Sequence, residues 1–535
     1  MAAPSLQRPA RWLPVALLLV AASFTACTDE CDVDSDCATL ATDGRTYACI
    51  DNECVARTVD GGTTGDGGTD AGQVQDGGTS DGGTDAGTGG DGGVTVRILH
   101  AAPDAPAVDV YAQGQSTPLA TNVAYRATSA WITVPAGTVT VELRPTGAAA
   151  SSAPAFTSAP LALQAGERVT AMAAGLLAST DPAAQLRVVP LVERFGTPSA
   201  GNARVRVVHA GVDAPAVDLD VGDDGTAEIT GLERFTDTGE EGVGLPASTS
   251  LQLGIRAGGS RVTAFTLPAL ADGAEYLAVA TGQLSEPPSS PRGFGILVVD
   301  ENGVVGTVLQ NPRAHILHAS PDAPAVDAYV GAQEIADNVT YGLLAPPVQV
   351  PPGSYTVDLF AHEAGSTRPA ASPAFTAGTG ALEAGKEYLV LVAGFLAAPR
   401  TPPLQLIALE AGFVPQGTDA LVRAVNASPD APALDFGPVS SGQLAPTSGL
   451  ASVAFGSASA AAGAPINATT ATWGSAPTGT TAPLATVSLD LTSSSRVFLV
   501  AAGLVTPGAN EPAFQLWRVD TYGSTWSAQV MPGMP

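Results

Sequence analysis

One block of sequence occurs four times in this chain at a period near 109 residues, and that repetition constrains the fold more than any other feature. The copies open VRILHAAPDAPAVDVY from Val96, RVRVVHAGVDAPAVDLD from Arg204, RAHILHASPDAPAVDAYV from Arg313 and LVRAVNASPDAPALDF from Leu421. Their centres fall at His100, His209, His318 and Asn426. Further blocks recur in register. VPAGTVTVEL from Val134 matches VPPGSYTVDL from Val350, and AGERVTAMAAG, ending at Gly175, matches GKEYLVLVAG, ending at Gly394. A unit of about 110 residues can bury a core of its own, so the expectation is a string of domains and not a solenoid. The boundaries are drawn at 95–203, 204–312, 313–419 and 420–535, the last copy diverging after Phe436.

Hydrophobic periodicity sets the class of each domain. Val139, Val141 and Leu143 alternate with Thr138, Thr140, Glu142 and Arg144, the period-two pattern of a half-buried strand. Seven or eight such runs per copy are separated by Gly- and Pro-rich turns, and none has the length and 3.6 period of a sizeable helix. The spacing predicts an all-β chain of four tandem Ig-like β-sandwiches.

The repeated motif resembles the bacterial domain of unknown function 4397, whose hallmark is His-Ala-Ser-Pro-Asp-Ala-Pro-x-Val-Asp. Copies one and three match closely. Copy two has Gly211-Val212 in place of Ser-Pro, and copy four has Asn426 in place of the histidine. The resemblance implies an exported, sandwich-like domain and brings no activity with it.

The N-terminus points to export. Arg8 and Arg11 precede the apolar run Trp12–Phe24, too short to span a bilayer and interrupted by Pro14, as in a signal segment. It runs into Thr25-Ala26-Cys27, which resembles a lipobox, with Phe24 where leucine is preferred. Residues 1–26 then form a lipoprotein signal peptide, and a lipid on Cys27 makes the membrane a partner. Removing Cys27 from the five cysteines leaves Cys31, Cys37, Cys49 and Cys54, an even set for an exported segment. Residues 27–56 have too few apolar side chains for a core, which favours disulfides over zinc, and the C-x2-C pairs of structural zinc sites are absent. Residues 57–94 repeat Asp-Gly-Gly-Thr and Thr-Asp-Ala-Gly. Such a segment cannot offset its chain entropy by burial and reads as a disordered linker with an r.m.s. span of roughly 35 Å.

A net charge of −28, nearly half of it between Thr28 and Val94, argues against nucleic acid as a partner. The motif itself invites a catalytic or metal reading, since His100, Asp104 and Asp109 in copy one, His209, Asp213 and Asp218 in copy two, and His318, Asp322 and Asp327 in copy three suit both. Copy four speaks against it. Asn426 keeps company with Asp430 and Asp435, and asparagine can share a histidine's hydrogen bonds but cannot shuttle protons. The expectation is a structural motif: a buried, satisfied polar group on the face of Val96 and Ile98, and an aspartate capping its own turn. Two other motifs fail on inspection. The run from Gly380 to Glu387 is one residue short of a P-loop and has glutamate where magnesium needs a hydroxyl, and His362-Glu363 lacks the second histidine of a zinc protease. No enzyme and no cofactor is expected. The function predicted is a cell-surface lipoprotein, a stalk or an adhesive array binding a surface glycan or protein, with calcium or envelope polysaccharide on Asp-rich loops as the alternative.

Overall fold

The computed structural model describes residues 46–50, 53–57, 92–365, 367–414, 418–521 and 526–530. The signal segment, Cys27, Cys31, Cys37 and nearly all of the linker lie outside them. Two compact units are present, divided between Thr88 and Gly89. In the first, strand Thr46–Ile50 pairs antiparallel with Glu53–Arg57, and the register sets Cys49 opposite Cys54.

The second unit is all β, with no helix among the described residues. Repeat three has the simplest wiring. One sheet runs Val348–Gln349, Arg313–His318, Glu387–Ala393, Gln405–Glu410, and the other Gln333–Val339, Val326–Val330, Gly353–Ala361, Phe375–Leu382. The opening strand lies parallel to the penultimate one, His318 opposite Val392. The same parallel pair recurs as Val94–Ala101 with Arg168–Ala174, Asn202–Gly211 with Glu275–Gly282, and Ala420–Asn426 with Arg496–Ala502. Each repeat has its own core between two sheets, the Ig-like sandwich expected from the spacing. Repeat two adds a ninth strand, Gly303–Leu309, to one sheet.

The repeats are not independent beads. Along the first opening strand, Val96 and Ile98 face the sandwich core, whereas Leu99 and Ala101 point the other way. There they join Met172, Ala174 and Leu191 in a second cluster with Val208, Ala210, Leu277, Val279, Leu297 and Val299 of repeat two. Repeats three and four pack in the same manner, through Leu317, Leu389 and Leu391 against Val425, Phe498, Val500 and Trp517. A strand buried on both faces is largely apolar on both, which explains the apolar residues on either side of the motif strand and of the strand beside it, while the buried Arg97 and His100 have hydrogen-bond partners. The domain string of the sequence reading is therefore two back-to-back pairs.

The polar contacts across the first pair are reciprocal. Arg97 of repeat one donates to the carbonyl of Asp300 in repeat two. The equivalent Arg206 of repeat two donates to the carbonyl of Val192 in repeat one at 2.6 Å. Both acceptors end the strand that lies antiparallel to the opening strand's parallel partner. A surface that meets its own equivalent in this way is isologous, as in a twofold dimer. In the second pair Arg423 donates to the carbonyl of Glu410. The reciprocal position holds His315, whose ring stacks on Trp526 with centroids 3.9 Å apart. Between the pairs, repeats two and three meet through polar side chains: the Gln349 side chain accepts from the Ala264 amide at 3.0 Å and donates to the Asn311 carbonyl at 2.9 Å.

Two outcomes follow. Because each pair shares an apolar interface, calorimetry of the full chain should resolve two cooperative transitions and not four. Leu297→Ala should lower the transition that contains repeats one and two, at a cost of about 2–5 kcal/mol. Four separable transitions would contradict the pairing. The second outcome concerns acid. Burial, and then the charge of Arg313, hold the His315 imidazole down at about 3, while an unfolded histidine protonates below about 6.5. Between those values the unfolded chain takes up a proton that the fold refuses, so stability falls with pH by up to about 1.4 kcal/mol per pH unit from this group. Burial lowers His100, His209 and His318 in the same sense. His315→Phe keeps a ring on Trp526 and removes the proton, so its urea midpoint should decline less steeply on acidification than that of the wild type. Parallel declines would contradict this assignment.

Candidate functional site

The motif sits where the opening strand leaves the sandwich. In repeat one the His100 ring is buried, its Nδ1 accepting from the Ala102 amide at 3.2 Å and its Nε2 lying 3.1 Å from the Pro106 carbonyl. An acceptor at Nδ1 requires the neutral tautomer with the proton on Nε2, which then donates to Pro106. His209 engages the Gly211 amide at 3.3 Å and Pro215 at 2.9 Å. His318 engages the Ser320 amide at 3.3 Å and Pro324 at 2.9 Å. Asn426 makes the same two bonds with an amide group. Its Oδ1 accepts from the Ser428 amide at 3.1 Å and its Nδ2 donates to Pro432 at 3.1 Å. One side chain thus closes the motif loop on itself in every repeat, an imidazole in repeats one to three and a carboxamide of similar reach in repeat four.

The first aspartate of the motif does not cap its own turn. Its carboxylate reaches across the domain to the loop after the strand parallel to the opening one. Asp104 accepts from the amides of Leu177 and Ala178 at 2.8 and 2.9 Å, and Asp213 from Leu284 and Ser285 at 2.7 and 2.9 Å. Asp322 takes Leu396 and Ala397 at 2.8 and 3.1 Å, and Asp430 takes Val505 and Thr506 at 2.8 and 2.9 Å. The correction has a physical reason: the parallel pairing brings the ends of both strands to the same edge, and the loop amides there have no strand partner. A glycine makes the turn into that loop. Gly175 has φ +103, and a Cβ on it would lie 2.3 Å from the Gln185 carbonyl oxygen; Gly282, Gly394 and Gly503 occupy the same position with the same clash. In repeats three and four Ser320 and Ser428 add a hydroxyl bond to the carbonyl of that glycine, at 2.8 and 2.7 Å.

The second aspartate ties down two further loops. Asp109 accepts from Asn122 and Gly147 amides at 2.8 and 3.1 Å, and Asp435 from Ser452 and Gly479 at 2.7 and 3.1 Å. Amide donors hold the Asp109 carboxyl below its ordinary range, and for Asp435 they outweigh the opposing effect of burial. In repeat two Asp218 holds the Gly231 amide at 2.7 Å. Asp327 accepts from Asn338 and Glu363 amides at 2.8 and 3.0 Å and also meets the His362 ring. The other motif residues lie in different repeats and do not converge into one site. The four interface positions three residues before the histidine or asparagine, Arg97, Arg206, His315 and Arg423, were not singled out from sequence. A charged residue or histidine recurring inside an apolar strand was the signal.

Comparison with known proteins agrees with the repeat. Two segments, 94–220 and 313–437, match the family described as Domain of unknown function (DUF4397). Each begins at the opening strand of an odd-numbered repeat and ends just past the motif's second aspartate in the next. No curated protein matches the sequence. Among solved structures, the Bacillus anthracis TIE protein aligns at 9% identity over 56% of this chain, with a TM-score of 0.12. The chain spans 50% of that structure's length.

Substitution in repeat three separates a clamp from a chemical group. His318→Asn should leave the denaturant midpoint nearly unchanged. His318→Leu should cost about 1–3 kcal/mol, because the Ser320 amide and Pro324 carbonyl lose their buried partner. Asp322→Ala should destabilise by a similar amount through two unpaired amides. A large loss in His318→Asn would refute the equivalence of the two side chains.

Proposed function

We propose that this chain, whose repeats match that family, is a non-enzymatic, lipid-anchored surface protein. Its paired sandwiches form a tethered stalk or adhesive array that engages a surface glycan or protein. The observation that carries the reading is how the motif spends its polar groups. Every histidine, its asparagine replacement and every first aspartate is committed to backbone amides and carbonyls of its own repeat. Imidazole chemistry would not survive His→Asn, whereas a clamp does. What the motif repeats is therefore a scaffold, and repetition of a scaffold serves reach and multivalency.

The calcium alternative draws less support from the most acidic folded loop. Asp220 accepts from the Asp224 and Gly225 amides at 3.0 and 2.8 Å and faces Arg256, and Asp223 pairs with Arg261 at 3.0 Å. Both carboxylates face guanidinium groups, whose positive charge opposes a calcium ion there.

Anchoring is the part of this reading with the most direct test. Cys27→Ser should move the protein from the membrane fraction to the soluble exported fraction and abolish labelling with a fatty-acid probe. Protease added to intact cells should degrade the wild-type repeats. Retention of Cys27→Ser in the membrane with its label would overturn the anchor, and complete protection from protease would overturn surface display.

A further inference from the structure

One cluster belongs to repeat three alone. Asp327, Asp337 and His362 bring a ligand atom each to within 4.8 Å of one another. His362 Nδ1 lies 2.8 Å from Asp327 Oδ1 and 3.3 Å from Asp337 Oδ1. We propose that Asp327, Asp337 and His362 form a binding site for a divalent transition ion of the zinc class.

The separations suit that ion. Four-coordinate zinc with bonds of about 2.0–2.1 Å places neighbouring donors about 3.3 Å apart, so small shifts seat it between these three atoms. Asp327 is almost wholly buried and is oriented by the Asn338 and Glu363 amides, the outer hydrogen bonding that fixes a metal-binding carboxylate. Asp337 is 62% exposed and His362 30%, which leaves the fourth coordination position to water. An imidazole donor favours zinc, nickel or copper over calcium and magnesium.

The other repeats show that these residues are not required by the scaffold. In each, a residue with positive φ donates its amide to the motif's second aspartate: Asn122, Gly231, Asn338 and Ser452. The residue before it is Thr121, Thr230, Asp337 and Ala451 in turn. The position two beyond that aspartate's strand partner is Thr146, Gly258, His362 and Thr478. Threonine, glycine or alanine serves the fold at both places, and only repeat three supplies ligands at both. Zinc takes the place of the hydrogen bond between His362 Nδ1 and Asp327, and the neutral ring then carries its proton on Nε2.

Zinc chloride titrated calorimetrically into the full chain, with cysteines alkylated, tests this directly. The wild type should bind one equivalent that His362→Gln loses. Asp337→Asn alters an exposed side chain, should keep the metal-free melting temperature, and should weaken zinc by at least about tenfold. Excess calcium should not compete. Zinc binding that is absent from the wild type, or equal in stoichiometry and affinity across all three proteins, would overturn the site, and displacement by calcium would overturn the ion class.

Discussion

The opening strand of each repeat has a parallel neighbour in its own sheet, with one face in its own sandwich and the other against the neighbouring repeat. Such a strand has no solvent to satisfy stray polar groups, so wherever it ends, the backbone that follows needs partners inside the protein. The motif meets that need. The histidine or asparagine closes the loop leaving the opening strand, and the first aspartate holds the loop leaving the parallel one. Two neighbouring strand ends are fastened together by side chains four residues apart in the motif, and the glycine that lets the second loop turn back recurs with them.

Pairing follows from the same constraint. A central strand pair that is apolar on its outer face must be covered, and the cover is the equivalent surface of the next repeat. Arg97 and Arg206 reach across to the same carbonyl position in each other's domain, so the contact is self-complementary and needs only one kind of surface. Repeats three and four keep the geometry and change the chemistry, trading an arginine for His315 stacked on Trp526. The shared apolar clusters make each pair of repeats one packing unit.

Much of the fold was legible because it rests on periodicity. Alternation in Val139, Val141 and Leu143 identifies a half-buried strand, and four copies at one spacing identify four sandwiches. The replacement of histidine by Asn426 carries the argument about hydrogen bonding without any coordinates. The pairing was less visible, although its trace is present: Leu99, Ala101, Met172 and Ala174 interrupt the alternation with apolar residues on the wrong face. The reach of Asp104 to Leu177 could not be read, since a carboxylate next to Pro103 suits a local cap equally well and the contact spans 73 positions. His362 was noticed only for a motif it does not complete. Its neighbours Asp327 and Asp337 come from a different strand pair, and pairing register alone brings them together.

The account turns on a motif that is architectural and equivalent in all four repeats. Hydrogen exchange at the eight clamped amides, Leu177, Ala178, Leu284, Ser285, Leu396, Ala397, Val505 and Thr506, measures that equivalence most directly. They sit in loops, several of them exposed, where free amides exchange within seconds to minutes. The account predicts slow exchange at all four loops, with the asparagine-bearing fourth repeat as protected as the others. Fast exchange at these amides, or protection confined to the three histidine repeats, would contradict it.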